Sequence, residues 1–163
     1  MDSAAAVPTR TDNPALSAIL IGGFAAGLAD FLFASIKKTL GGGAWTDPWK
    51  GVASGLLGRA ARDGGFEMAL LGIALHFFIC LAAAALLYFI LRRLSWIPRQ
   101  PLVLGVIYGI AFLAVMNYVI LPLSAIGRPI YALDQIHVTA FWHIVLVGIP
   151  TAWFVSRGLG QSK

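Results

Sequence analysis

The chain has 163 residues, 59% of them hydrophobic and 12% charged, with a mean hydropathy of +0.83. A soluble domain is about 45–50% apolar and about 25% charged, so this composition excludes a water-soluble enzyme, a disordered chain and a disulfide-stapled secreted module. What remains is an integral membrane protein, and the +5 net charge fits anionic lipid headgroups rather than nucleic acid, because the basic residues flank the apolar runs.

The expected fold is all-α, a four-transmembrane-helix bundle with an amphipathic interfacial helix between the first two spans. Residues 1–14 are polar and form a flexible N-terminal tail. The first span covers about 15–36, is longer than a signal-peptide core, and ends at Lys37-Lys38, whose ammonium groups can reach the headgroups.

The long connection opens with Gly41-Gly42-Gly43 and then carries Trp45, Pro48 and Trp49. From about 48 to 63 it looks helical, with proline in the first turn. Val52, Leu56 and Leu57 give it an apolar stripe, while Lys50, Arg59 and Arg62 can stay in water. Such a helix lies on the membrane with its Trp rings at headgroup depth. Gly51, Gly55 and Gly58 leave a re-entrant segment as the alternative.

The second span, about 68–91, stops at Arg92-Arg93, and the third, about 102–121, lies between Pro101 and Pro122. The fourth, about 138–156, stops at Arg157, and the tail 158–163 follows, with Gly158 and Gly160 closing the helix. The transmembrane domain is therefore 15–157. Continuous runs of this length exclude a β-barrel. An even number of spans puts both termini on one side. The short loop 92–101 holds three arginines against one in the loop 122–137, which favours both termini in the cytoplasm.

Polar groups inside the hydrocarbon are expensive and need partners. Each span holds one: Asp30, His76, Asn117 and His143. At about 1.5 Å per residue they lie roughly 6–12 Å from span ends that share one side of the bilayer. Gly23, Gly27, Asp30 and Ala34 share a helix face, as do Gly72, His76 and Cys80, and Gly105, Gly109, Leu113 and Asn117. Small residues mark close helix approach, so these polar groups face the bundle interior. The Gly23–Gly27 and Gly105–Gly109 pairs could equally serve a homo-oligomer or a larger membrane complex.

Two readings of this layer stand beside each other. In one, the polar groups are interhelical hydrogen bonds that hold the packing. In the other, Asp30, His76, Asn117 and His143 form a pocket for a small ligand, ion or lipid headgroup, with Arg128 at its mouth offering a guanidinium to a phosphate or carboxylate. Alternatives are a b-haem held between His76 and His143, a metal site using Asp30, His76 and His143, or a proton-conducting subunit. His137 lies about 120° round the helix from His143, so those two do not form a same-face pair. The single cysteine, Cys80, is expected to be a packed, inert thiol. No zinc-protease motif, phosphate-binding glycine loop or nucleophile elbow occurs, and no internal repeat is evident, so the expected role is non-enzymatic.

Three stretches carry a resemblance: ALHFFI around His76, MNYVILPLSAIGRP at Met116–Pro129, and WHIVLVGIP at Trp142–Pro150. On these the chain resembles small four-span bacterial inner-membrane proteins, distantly of the YagU type. The resemblance implies that His76, His143 and the Asn117-to-Pro122 stretch occupy polar positions in equivalent spans, and that the membrane is a bacterial inner membrane. It implies no chemistry.

Overall fold

The computed structural model describes residues 13–161 apart from 98, 132, 133 and 135. Of the expected tail over 1–14, residues 1–12 lie outside the described residues, as do the final two, while Asn13 and Pro14 cap and begin the first helix. Everything regular among those described is helical, and four helices are long and apolar enough to cross a membrane: Pro14–Leu40, Phe66–Arg93, Pro101–Leu123 and Ile136–Gly160. These are consistent with a multi-pass membrane protein. Their outward faces are apolar, as Phe78 at 68% exposed illustrates, and a chain in water rarely displays so continuous an apolar surface.

Helix α1 (Pro14–Leu40) starts where Asn13 Oδ1 accepts from the backbone N–H groups of Ala15 and Leu16, which satisfies two of the orphan donors at a helix start. It runs past Ile36 and takes Lys37 and Lys38 into its last turn, where cations oppose the negative end of the helix dipole. Helix α4 (Phe66–Arg93) ends the same way on Arg92 and Arg93.

Between them, the expected single helix over 48–63 is two. Helix α2 (Asp47–Leu57) stops at Gly58, whose φ of +76° only glycine adopts readily, and α3 (Ala60–Asp63) follows as one turn. Trp49 is also not presented to lipid or water but packed inside the protein. It is 2% exposed, its Nε1–H donates to Ser35 Oγ at 3.1 Å, and its ring stacks on Phe31 at 4.7 Å. A buried indole needs such a partner. Trp45 is exposed, with only the edge of Phe66 against it.

The third span comprises α5 (Pro101–Val115), a π-helical turn (Met116–Ile120) and α6 (Leu121–Leu123). The fourth comprises α7 (Ile136–His143), a π-helical turn (Ile144–Gly148) and α8 (Ile149–Gln161). Each π turn ends two residues before a proline, Pro122 or Pro150. A proline ring clashes with the carbonyl four residues back, and widening the turn relieves that clash while the helix continues. Hydropathy alone did not reveal these turns.

The expected end of the fourth helix near 157 is also corrected, since α8 continues through Gln161. Gly158 does not terminate it but lets it approach α1: a Cβ there would collide with Ala18 and stand 3.0 Å from the Pro14 carbonyl oxygen.

Helix α1 packs on both α4 and α8, and α5 packs on the fourth span, whereas α4 and α5 make little contact with each other. The glycine faces are consumed within these contacts. A Cβ on Gly23 would sit 2.9 Å from Leu81 Cα, and on Gly109 2.6 Å from Ile144 Cα. At the end carrying the chain termini, Leu87, Tyr88, Leu91, Leu104, Val155 and Leu159 close into a dense core. At the opposite end the gap between α4 and α5 stays open, and α2 lies across it against α4.

Candidate functional site

The open end is a cavity of about 440 Å³, within the range of about 300–1,000 Å³ usual for small-molecule sites. Asp30, His76 and His143 all line it. Leu75, Ile79, Phe112, Ile130 and Val147 supply apolar wall, and α2 closes one side with Trp49, Val52, Gly55 and Leu56.

His76 reaches the cavity because Gly72 below it lets α2 come close. A Cβ on Gly72 would collide with the Trp49 carbonyl, so the small residue that marked this face accommodates the connection rather than a neighbouring span. The imidazole is buried, with the Trp49 ring centroid 5.0 Å and the Phe77 centroid 5.3 Å away. Its Nε2 stands 2.9 Å from the Gly27 carbonyl oxygen. A carbonyl can only accept, so Nε2 carries a proton and donates, and in the neutral ring Nδ1 is left as an acceptor.

His143 has the opposite arrangement. Its Nδ1 lies 2.9 Å from the Thr139 carbonyl oxygen, so Nδ1–H donates and Nε2 holds the lone pair in the neutral ring. The Phe112 and Tyr131 rings flank it at 6.1 and 6.2 Å. Asp30, half-buried on α1, has no hydrogen-bond or ion-pair partner among the described residues; the ion pair found there joins Lys38 and Asp47 at 3.3 Å on the surface.

Asn117 does different work. It is fully buried, but it does not line the cavity. Its Oδ1 accepts from the backbone N–H groups of Ile130 and Tyr131, both at 3.0 Å, and its Nδ2 donates to the Tyr131 carbonyl at 3.1 Å. Asn117 therefore clamps the loop between the third and fourth spans. Through that clamp it positions Tyr131, which does line the cavity. Desolvation at the cavity wall, and next the Asp30 carboxylate, push the Tyr131 phenol above its ordinary range, so it remains a neutral donor.

Arg128 is exposed on that loop and is not among the lining residues. The guanidinium at the cavity is Arg62 of α3, whose Nε–H donates to Ser54 Oγ at 3.4 Å. Sequence reading left Arg62 in water, and it is exposed, but its place at the rim of this cavity was not expected. Trp49, Arg62 and Tyr131 all come from connections, where hydropathy carries no register. The one signal for Trp49 was the Gly72–His76 face.

For haem, His143 has the orientation of an axial ligand, with Nδ1–H held by a carbonyl and Nε2 free. His76 does not, since its Nε2–H is spent on Gly27. Among the described residues no group of three or more His, Cys, Asp or Glu side chains is arranged to hold a metal ion. Cys80 lines the cavity as a buried free thiol. His137 is exposed.

Taken as chemistry, the residues lining the cavity include one carboxylate and two imidazoles, each with one ring nitrogen not engaged by a backbone carbonyl. The cavity is rich in acceptors, and the indole N–H beside them is already used. Comparison of the chain with protein-family models, with curated proteins and with solved structures finds no match, so its function is argued from this cavity.

Proposed function

We propose that the chain is a small, non-enzymatic four-helix bundle of the bacterial inner membrane, whose cavity beside α2 binds a small amphipathic molecule bearing a protonated amine. One observation carries this reading: Asp30, His76 and His143 line a single apolar-walled cavity, and among the described residues no donor takes up the Asp30 carboxylate, His76 Nδ1 or His143 Nε2. Burying an unpaired carboxylate is costly, and an ammonium donates three hydrogen bonds and brings the opposite charge. The apolar wall takes the remainder of the ligand. Arg62 stays at the exposed rim, where water and salt screen it.

In this reading α2 lies at the membrane interface with Leu56 and Leu57 toward lipid. Both termini are cytoplasmic, following the three arginines of the short second loop. The inner-membrane assignment rests on the resemblance to YagU-type proteins.

The test uses the full chain in maltoside micelles near neutral pH, with n-hexylammonium as probe and hexanol and hexanoate as neutral and anionic matches. Hexylammonium raises the unfolding temperature of the wild type more than either match does, and Asp30→Asn abolishes the difference. Equal shifts from all three probes, or an undiminished hexylammonium effect in Asp30→Asn, overturn the reading.

A further inference from the structure

A second cavity, of about 320 Å³, lies at the opposite end of the molecule, where the start of α1, the ends of α4 and α8 and the second loop come together. Its lining is Asn13, Pro14 and Ala15 from the start of α1, Tyr88 and Arg92 from the end of α4, Arg99 from the loop, and Leu159 from α8. Among the described residues its lining holds two guanidinium groups and no carboxylate.

Neither arginine is neutralised by an ion pair among the described residues. Arg99 is half-buried and spends one donor: its Nη2–H reaches the Leu91 carbonyl oxygen at 3.3 Å. Its Nε is buried with no hydrogen-bond partner. Buried charges are ordinarily paired, and no described residue supplies this guanidinium with a counter-charge. Arg92, in the last turn of α4, is exposed and has no hydrogen-bond or ion-pair partner among the described residues.

The surroundings add to the same sign. The N-terminus of α1 opens onto this cavity, and the first turn of that helix carries no acidic residue. The Ala15 and Leu16 N–H groups there already donate to Asn13 Oδ1, so the helix adds the sign of its dipole to the two guanidinium groups and no free amide donor. Tyr88, 2% exposed overall, still contributes to the wall. Ala15 and Leu159 make one side apolar. The cavity sits at the ends of α1, α4 and α8, where headgroups of the adjacent leaflet lie if these helices span the bilayer.

We propose that Arg92 and Arg99, at the N-terminus of α1, form a seat for a phosphate-bearing anion, either the phosphodiester of an anionic lipid headgroup or free phosphate. A planar guanidinium matches phosphate oxygens two at a time, and the two that line this cavity meet no acidic side chain among its lining residues. The site is separate from the acceptor-rich cavity and does not depend on what that cavity binds.

Native mass spectrometry of the full chain in maltoside micelles tests it, with short-chain phosphatidylglycerol, short-chain phosphatidylcholine and inorganic phosphate titrated separately. Phosphatidylglycerol binds the wild type at least tenfold more tightly than phosphatidylcholine. Arg92→Gln, which removes no protein contact, weakens it at least fivefold, and Arg99→Gln weakens it further. Arg157→Gln, whose guanidinium stacks on Trp153 at 4.4 Å and is outside the cavity lining, leaves it unchanged. If inorganic phosphate displaces the lipid with the same dependence on Arg92, free phosphate is an occupant of the seat. If it does not, the lipid headgroup is. Equal phosphatidylglycerol affinity in wild type and Arg92→Gln, with Arg99→Gln also unchanged or as sensitive as Arg157→Gln, overturns the proposal.

Discussion

Trp49 and Ser35 stand 14 residues apart in the chain, yet the indole Nε1–H donates to the Ser35 hydroxyl at 3.1 Å inside the protein. That bond fastens α2 to α1 and turns the connection between two spans into a wall of the cavity. The same ring lies against Phe31 and His76, so packing and polarity act through one side chain.

Removing only the hydrogen bond separates the two. Trp49→Phe keeps an aromatic ring and leaves Ser35 Oγ without its donor, a loss of about 0.5–1.5 kcal/mol. Ser35→Ala is expected to cost a similar amount, and the double variant little more than either alone. Trp49→Ala also leaves a void, for about 3–5 kcal/mol in all. Unfolding in mixed micelles measures the set. Additive losses from Trp49→Phe and Ser35→Ala would mean the two residues are not coupled.

Glycine positions discriminate between close packing and open helix. A Cβ at Gly148 would collide with the Gly105 carbonyl oxygen and lie 3.0 Å from Gly109 Cα, so Gly148→Ala forces the third and fourth spans apart. Gly51, in the middle of α2, has nothing within 4 Å of the same position. Gly51→Ala is therefore expected to stabilise the protein by up to about 1 kcal/mol, the helix-propensity difference, while Gly148→Ala lowers folded yield. Thermal unfolding and size-exclusion profiles of the two variants give the comparison. Similar behaviour of both would contradict the packing of Gly148 on α5.

These contrasts show why only part of the molecule was legible from its residues. Spans such as Phe66–Arg93 declare themselves, because bilayer thickness sets a length and an apolarity that no other element meets. Asp30, His76 and His143 stood out because so few polar groups remain inside such runs. The fate of each was not legible. Asn117 and His143 look alike as isolated polar residues, and only the fold of the 124–135 loop makes one a clamp and the other a cavity wall. The start of α2 was visible from Pro48, but whether Trp49 met lipid or protein depended on Gly72, distant in sequence.

The clamp itself makes a prediction. Asn117→Ala removes three hydrogen bonds and leaves the Ile130 and Tyr131 N–H groups without their acceptor. At about 0.5–1.5 kcal/mol for each of the three bonds, the loss is about 1.5–4.5 kcal/mol. It falls first on the loop rather than on the spans. Hydrogen exchange at Ile130 and Tyr131 is expected to speed up by at least tenfold, with little change in the middle of α4. Unchanged exchange in the loop would remove Asn117 from the positioning of Tyr131.

The last prediction concerns which nitrogen of each histidine carries the proton. His76 donates from Nε2 to the Gly27 carbonyl oxygen, and His143 donates from Nδ1 to the Thr139 carbonyl oxygen. The two imidazoles are therefore opposite tautomers when neutral, and each turns its remaining lone pair away from its own backbone contact. Nitrogen-15 spectra of the labelled chain distinguish a protonated Nε2 from a protonated Nδ1 directly, without any ligand. With His143→Gln as the assignment control, His76 is expected to show protonated Nε2 and His143 protonated Nδ1. The same tautomer at both sites would remove one of the two imidazole acceptors from the cavity, and the affinity for an ammonium would then rest on Asp30 and a single histidine.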